Sequence, residues 1–274
     1  MKVFRWIVIV VFVLVTGLYT ALHYVNRARV DHTIPVIRYT APVIEVPVNA
    51  SREELLGDVT AYDEKDGDLT EKIIVEKISN FVEKGLSNIT YAVVDRDNHT
   101  VKATRRVRYV DYHSPRFTFA QAMRFDAGSS FNVLNLLGAV DMIDGDISGR
   151  IKLTGSDLNV SVPGIYQMQA QVTNSKGDIS YLRFNVTITP SQRNLPAITL
   201  SDYLIYLSPE QARVFQPEEL VEAVTLNNLP VEDYALSVES YLRPETPGTY
   251  PIYYQVTDQA GRTGSSELVV IVEE

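Results

Sequence analysis

The sequence predicts an all-β protein: three tandem β-sandwich domains preceded by one N-terminal transmembrane helix. Three observations carry this reading: an uncharged apolar run near the N-terminus, a hairpin pattern that recurs three times, and a composition rich in strand formers and turn residues. Sixteen Tyr accompany a single Trp, and 13 Pro and 14 Gly are spread among short Val, Ile and Thr segments. β-Branched and aromatic residues fit a pleated, half-buried surface, and Gly and Pro punctuate it. Little helix is expected beyond the N-terminus. With 45% hydrophobic and 22% charged residues, the 274-residue chain has the composition of folded rather than disordered material.

The membrane segment runs from Trp6 to Val25, WIVIVVFVLVTGLYTALHYV, without a formal charge. At about 1.5 Å per residue it spans about 30 Å, the thickness of a bilayer's hydrocarbon. Trp6, Tyr19 and Tyr24 place amphipathic rings toward its ends, with Lys2 and Arg5 before it and Arg27 and Arg29 after it; such residues favour the two interfaces. The competing reading is a cleaved signal peptide, which calls for a shorter apolar region and a small-x-small cleavage site. No A-x-A pattern occurs between Thr16 and Val30, so an anchor is expected. Asp31 partly offsets Arg27 and Arg29, and the positive bias places the N-terminus inside. The expected order is a cytoplasmic tail over 1–5, a transmembrane helix over 6–25 and a linker over 26–33, with the rest outside a single-pass protein of the cell membrane.

The remainder repeats itself. LSNITYAVVDRDNHTVKATRRVRYVD (Leu86 to Asp111), GIYQMQAQVTNSKGDISYLRFNVTI (Gly164 to Ile188) and GTYPIYYQVTDQAGRTGSSELVVIV (Gly248 to Val272) share one pattern. An alternating strand leads to a polar turn, Asp95-Arg96-Asp97-Asn98, Asn174-Ser175-Lys176-Gly177 or Asp258-Gln259-Ala260-Gly261, and a second alternating strand follows. The Asn and Gly of these turns tolerate the positive φ of a tight hairpin. Asp95, Asn174 and Asp258 lie 79 and 84 residues apart, close to the size of an immunoglobulin-like sandwich. Upstream, Pro35, Pro115 and Pro196 each precede a first strand; proline fixes φ and marks a boundary. Domains over 34–113, 114–190 and 191–274 follow.

Between those prolines and the hairpins the first two copies read LLGDVTAYDEKDGDLTEKIIV from Leu55 and LLGAVDMIDGDISGRIKL from Leu136. The combination D-x-x-D-G-D-[LI]-[TS], then P-G-x-Y, then a strand into V-T-D-x-x-G, resembles the bacterial immunoglobulin-like domain family. That family occurs in tandem on cell-surface proteins and in some insecticidal crystal proteins, and is similar in architecture to cadherin-like and hyalin-type repeats. The resemblance covers roughly 34–274 and implies seven-strand sandwiches with an adhesive or spacer role. Each copy departs from the pattern somewhere: Lys84-Gly85 replaces P-G in the first, Asn174 replaces Asp in the second, and the third lacks D-G-D.

Ligand chemistry is offered by two acidic clusters, Asp63, Asp66, Asp68 and Asp141, Asp144, Asp146. Three carboxylates close together around a glycine suit a hard cation such as Ca²⁺. The spacing is not that of an EF-hand, and a turn in which Asp side chains accept backbone N–H bonds, with Gly67 or Gly145 left-handed, is the competing and favoured reading. Tyr166 and Tyr250 of P-G-x-Y are expected to anchor the corner between sheets through a phenolic hydrogen bond. The basic run Arg105-Arg106-x-Arg108 with Lys102 reads as a solvated strand edge, or as a contact for anionic polymer or lipid head groups.

Other classes of function find little support. Without cysteine there is no disulfide, thiolate metal site or cysteine nucleophile. Residues 191–274 carry −9 of the net charge of −9, while the segments 1–33, 34–113 and 114–190 carry +3, −3 and 0. An acidic surface repels phosphate backbones, so nucleic acid is not an expected partner. His99 and His113 lie near turns or linkers, and no H-E-x-x-H, P-loop or G-x-S-x-G occurs. No enzyme and no obligatory cofactor are expected. The expected function is a membrane-anchored, surface-displayed stalk of domains stacked end to end that adheres to extracellular protein or polysaccharide. The alternative is an accessory subunit of an envelope assembly or secretion complex that binds protein partners.

Overall fold

The computed structural model describes residues 2–29, 33–191 and 193–273. Met1 of the expected tail and residues 30–32 of the expected linker lie outside the described residues, as does Gln192. The chain divides into two compact units, Met1–Asp111 and Tyr112–Glu274.

The first unit opens with helix α1 (Lys2–Arg29). Its stretch Phe4–Val25 is long and apolar enough to cross a membrane, and none of it is buried against protein. Thr16 and Thr20 return their hydroxyls to the helix, donating to Phe12 O at 2.7 Å and Thr16 O at 2.9 Å. Such internal satisfaction is what a polar group in a water-free surround requires.

The strands of the first sandwich are β1 (Val36–Arg38), β2 (Val43–Val46), β3 (Thr60–Asp63), β4 (Gly67–Asp68), β5 (Ile74–Glu83), β6 (Leu86–Val94) and β7 (Thr100–Tyr109), with a short helix α2 (Arg52–Leu56) after β2. One sheet has the order β1-β3-β4 and the other β2-β7-β6-β5. Their inner faces bury Ala61, Leu69, Ile73, Ile89, Tyr91, Val93 and Val107. Helix α2 starts at a capping box, in which Ser51 Oγ accepts from Glu54 N and Glu54 accepts from Ser51 N. Two orphan donors of the first turn are satisfied in this way.

The second unit holds two further sandwiches. In the first of these, β8 (Arg116–Phe119), β10 (Leu137–Asp141) and β11 (Gly145–Asp146) form one sheet. Strands β9 (Arg124–Asp126), β12 (Lys152–Ser156), β13 (Gly164–Thr173) and β14 (Ile179–Thr189) form the other, in the order β12-β13-β14-β9. The last sandwich pairs β15 (Ala197–Leu200), β17 (Val221–Leu226) and β18 (Leu229–Pro230) in one sheet. Its second sheet joins β16 (Leu204–Leu207), β19 (Tyr234–Ser240), β20 (Gly248–Asp258) and β21 (Thr263–Val272) in the order β16-β21-β20-β19, and helix α3 (Pro209–Val214) follows β16.

The three sandwiches obey one plan. In each, the second strand runs parallel to the last: β2 with β7, β9 with β14, β16 with β21. The chain therefore enters one sheet and crosses at once to the other, which ties the two together. The polar hairpin turns carry positive φ at Asn98, Gly177 and Gly261, the left-handed geometry that Asn and Gly accommodate.

One expectation is corrected. Strand β7 is not an edge, because it lies between β2 and β6, so the basic run belongs to the middle of a sheet. The second and third sandwiches also pack on each other. Leu204, Tyr206, Val269 and Ile271 turn toward the core around Phe117, Phe119 and Phe184, while Ile205, Leu207, Leu268 and Val270 serve the third core. Alternating side chains of β16 and β21 thus fill two different cores, which a period-2 strand buried on both faces can do.

Candidate functional site

The acidic loops are turn scaffolds built from the strands that flank them. In the first repeat, Asp63 Oδ1 accepts from Lys65 N and Asp66 N, both at 2.9 Å. Asp66 reaches across to the hairpin turn and accepts from Arg96 N at 2.7 Å, and Asp68 accepts from Thr70 N at 2.9 Å. The second repeat reproduces this: Asp141 Oδ1 accepts from Ile143 N and Asp144 N at 2.9 Å, Asp144 from Ser175 N and Oγ at 2.6 Å, and Asp146 from Ser148 N at 2.9 Å. Gly67 and Gly145, at φ 77° and 70°, let the loop close. Each carboxylate is thereby turned onto a different set of donors, and the three do not converge. Among the described residues, no group of three His, Asp or Glu side chains is placed to hold a metal ion. As placed, the six aspartates do not fit a calcium site.

The two loops differ at one point. Asn174 Nδ2 donates to Asp141 Oδ2 at 3.0 Å and to Tyr112 Oη at 2.9 Å, and Tyr112 Oη donates to Asp178 Oδ2 at 2.7 Å. Burial and the neighbouring Asp178 push the Tyr112 phenol above its ordinary range. In the first repeat Asp95 stands in the Asn174 position, and His99 occupies both of its oxygens, through N at 2.8 Å and Nδ1 at 2.6 Å. Buried Asp63 Oδ2 finds no donor among the described residues.

Both expected corner tyrosines make their bond. Tyr166 Oη donates to Val162 O at 2.9 Å and Tyr250 Oη to Thr246 O at 2.8 Å. A second tyrosine pair escaped the sequence reading. Tyr91 and Tyr254, each fully buried, donate to Leu55 O and Pro217 O at 2.8 Å, binding the hairpin to the segment that precedes the facing sheet.

Arg105 also departs from expectation. It is buried, donates from Nη1 to Asp58 Oδ1 at 2.5 Å and from Nε to Tyr91 Oη at 2.9 Å, and lies 5.3 Å from the ring centroids of Tyr39 and Tyr91. Against the opposing effect of burial, bonds from Thr40 and Arg105 hold the Asp58 carboxyl far below the usual range. The signal was present: Arg105 shares strand parity with Val107, a core position.

The contact between second and third sandwiches brings together a further set. Arg116 forms an ion pair with Glu273 at 2.5 Å and lies 5.1 Å from the Tyr206 ring, while Tyr206 Oη accepts from Phe117 N at 2.8 Å. Glu267 is 6% exposed and accepts from Thr187 Oγ1 at 3.1 Å. Burial pushes its carboxyl up to about 7, and the Thr187 bond and nearby Arg124 offset only part of this.

Fold and site together define a class: tandem immunoglobulin-like β-sandwiches behind an apolar N-terminal helix. No known family's sequence profile matches the chain. Over 267 residues, 94% of its length, it is 26% identical to the pesticidal crystal protein Cry22Aa of Bacillus thuringiensis, of which it spans 36%. It is 27% identical over 140 residues to an uncharacterized 81.3 kDa protein of Acholeplasma phage L2, covering 50% of this chain and 18% of that protein. The chain thus spans little more than a third of the first of these relatives and less than a fifth of the second. Among solved structures, the M60 catalytic domain with two CBM51 domains of Clostridium perfringens ZmpB aligns with 89% of this chain and 31% of its own, at 12% identity and a TM-score of 0.23. Cadherin domains 3–6 of protocadherin gamma B2 align with 87% and 73%, at 10% identity and a TM-score of 0.22. Overlap this slight leaves the fold resting on the strands described above.

Proposed function

We propose that the protein is a non-enzymatic, membrane-anchored surface protein whose sandwiches lie outside the cell and bind an extracellular protein or polysaccharide. One observation supports this above the rest: an apolar helix with no protein packed on it, Phe4–Val25, leads within a few residues into the sandwiches. A helix that is hydrophobic all round and unburied by protein belongs in lipid. Lys2 and Arg5 on the short side favour an N-terminus inside, which puts the sandwiches outside.

The absence of cysteine gives a direct test. Single cysteines at exposed Lys84 and Asp157 are labelled on intact cells with a membrane-impermeant maleimide, and the protein is then tracked through alkaline washing of the membranes. Labelling together with retention in the washed membrane is the expected result. Labelling only after lysis would reverse the orientation, and release into the medium would replace the anchor with a cleaved leader.

A further inference from the structure

We propose that the cleft between the second and third sandwiches is a binding site for a neutral, hydroxyl-rich ligand the size of one sugar residue. The proposal rests on the binding role given above and names its location and chemistry. The cleft encloses about 220 Å³ between the outward faces of two four-stranded sheets. One wall carries Gln167 of β13 and Asn185 of β14, which are direct cross-strand partners, with Arg183 also on β14. The other carries Tyr253 of β20 and Glu267 of β21, also direct partners, with Thr249 and Pro251 beside them.

These walls suit hydroxyl groups. The two amides each offer both donors and acceptors, the guanidinium offers donors alone, and the Tyr253 ring offers an apolar face to C–H groups. Glu267 is the polar group buried at this cleft, and Thr187 is its single hydrogen-bond donor among the described residues. A buried carboxyl with unused capacity favours a partner that can supply it. The other candidates fit less well. A divalent cation needs several oxygen ligands and finds one carboxylate lining the cleft. An anion meets Glu267, with Glu239 paired across the strands to Tyr253. The volume lies below the roughly 300–1,000 Å³ of sites for larger ligands, so a single ring fits where a peptide does not.

The groups facing Glu267 are Thr187 of β14, Arg124 of β9, Arg183 of β14 and Tyr253 of β20, with Glu239 of β19 acting on Tyr253. None is a carboxylate in direct contact with it. Protonated near neutral pH, Glu267 both donates and accepts; ionised, it only accepts.

The test is saturation-transfer NMR on the full chain in nanodiscs, with glucose, galactose, N-acetylglucosamine and their disaccharides as probes. At least one neutral saccharide is expected to bind, and Asn185→Ala or Tyr253→Ala should weaken it by about tenfold, the loss of one well-placed contact. Asn185 is an exposed strand residue, so its alanine variant keeps the fold even where Tyr253→Ala does not. Binding should fall as pH rises through 7 in the native chain and should lose that dependence in Glu267→Gln. Absence of binding by every probe overturns the site, as does binding that Asn185→Ala and Glu267→Gln leave unchanged. Either failure is separable from failure of the surface reading, because the maleimide experiment reports on orientation whatever the cleft binds.

Discussion

Asn174 and Asp141 share a buried hydrogen bond of 3.0 Å that the first repeat does not form, because Asp95 stands where Asn174 stands in the second. The two turns are otherwise alike: Asp95 N donates to His99 O at 3.3 Å and Asn174 N to Asp178 O at 3.0 Å. Replacing the amide by a carboxylate in the second repeat, Asn174→Asp, sets two carboxylates against each other and removes the donor to Tyr112 as well. A loss of about 1–3 kcal/mol is expected in chemical denaturation of the second unit. In the first repeat, Asp95→Asn should supply the missing donor to Asp63 at the expense of the His99 Nδ1 bond. Its melting temperature should therefore lose less than that of Asn174→Asp, and a greater loss would sink the equivalence of the two turns.

The loops make a prediction about metal. Because Asp66 and Asp144 spend their oxygens on Arg96 N and on Ser175, their alanine variants should each lose about 1–2 kcal/mol through the freed backbone donors. The same loss is expected in calcium and in chelator, since an ion held by the native state alone would add stability that grows with its concentration. Calorimetry of the native chain in both buffers is the check, and a melting temperature that climbs with calcium would return the clusters to the metal reading.

What was legible in the sequence, and what was not, follows from where each side chain points. Hairpins, turn glycines and corner tyrosines depend on neighbours within a few residues, and period-2 alternation with Gly or Asn at the bend exposes them. Arg105 looked like part of a surface run because it adjoins Arg106 and Arg108. Its parity with Val107 places it inside, and the partner that makes this tolerable, Asp58, is 47 residues away. The packing of the third sandwich on the second was hidden for a related reason. The outward positions Leu204, Tyr206, Val269 and Ile271 mark the covered face, and they resemble ordinary strand residues until the facing sheet is known.

Arg105 and Asp58 carry a prediction with a sign in pH. Asp58→Ala leaves a buried guanidinium without its counter-ion and should cost about 3 kcal/mol in the first unit, near the low end for a broken buried pair because Asp58 itself is partly open to solvent. In the native chain the Asp58 carboxyl is depressed on folding, so its contribution is fully present above the unfolded value of about 3.9 and is lost as pH falls toward the folded value. Acid unfolding of the first unit should accordingly steepen below about pH 4, and Asp58→Asn should flatten that limb.

Glu267 carries the opposite sign. Its carboxyl is raised to about 7 in the folded chain, whereas an unfolded glutamate titrates at about 4.3. Between those values the folded state holds more protons, so stability of the second unit should decline as pH rises from about 4 and level off above about 7. The full decline amounts to about 4 kcal/mol. Glu267→Gln keeps the shape and cannot ionise, and it should remove this slope while leaving the first unit's acid limb intact. Denaturant titrations at pH 5 and pH 8 decide the matter. Equal slopes in native and variant chains would mean that Glu267 is reached by water in solution, and that the second and third sandwiches do not hold it buried between them.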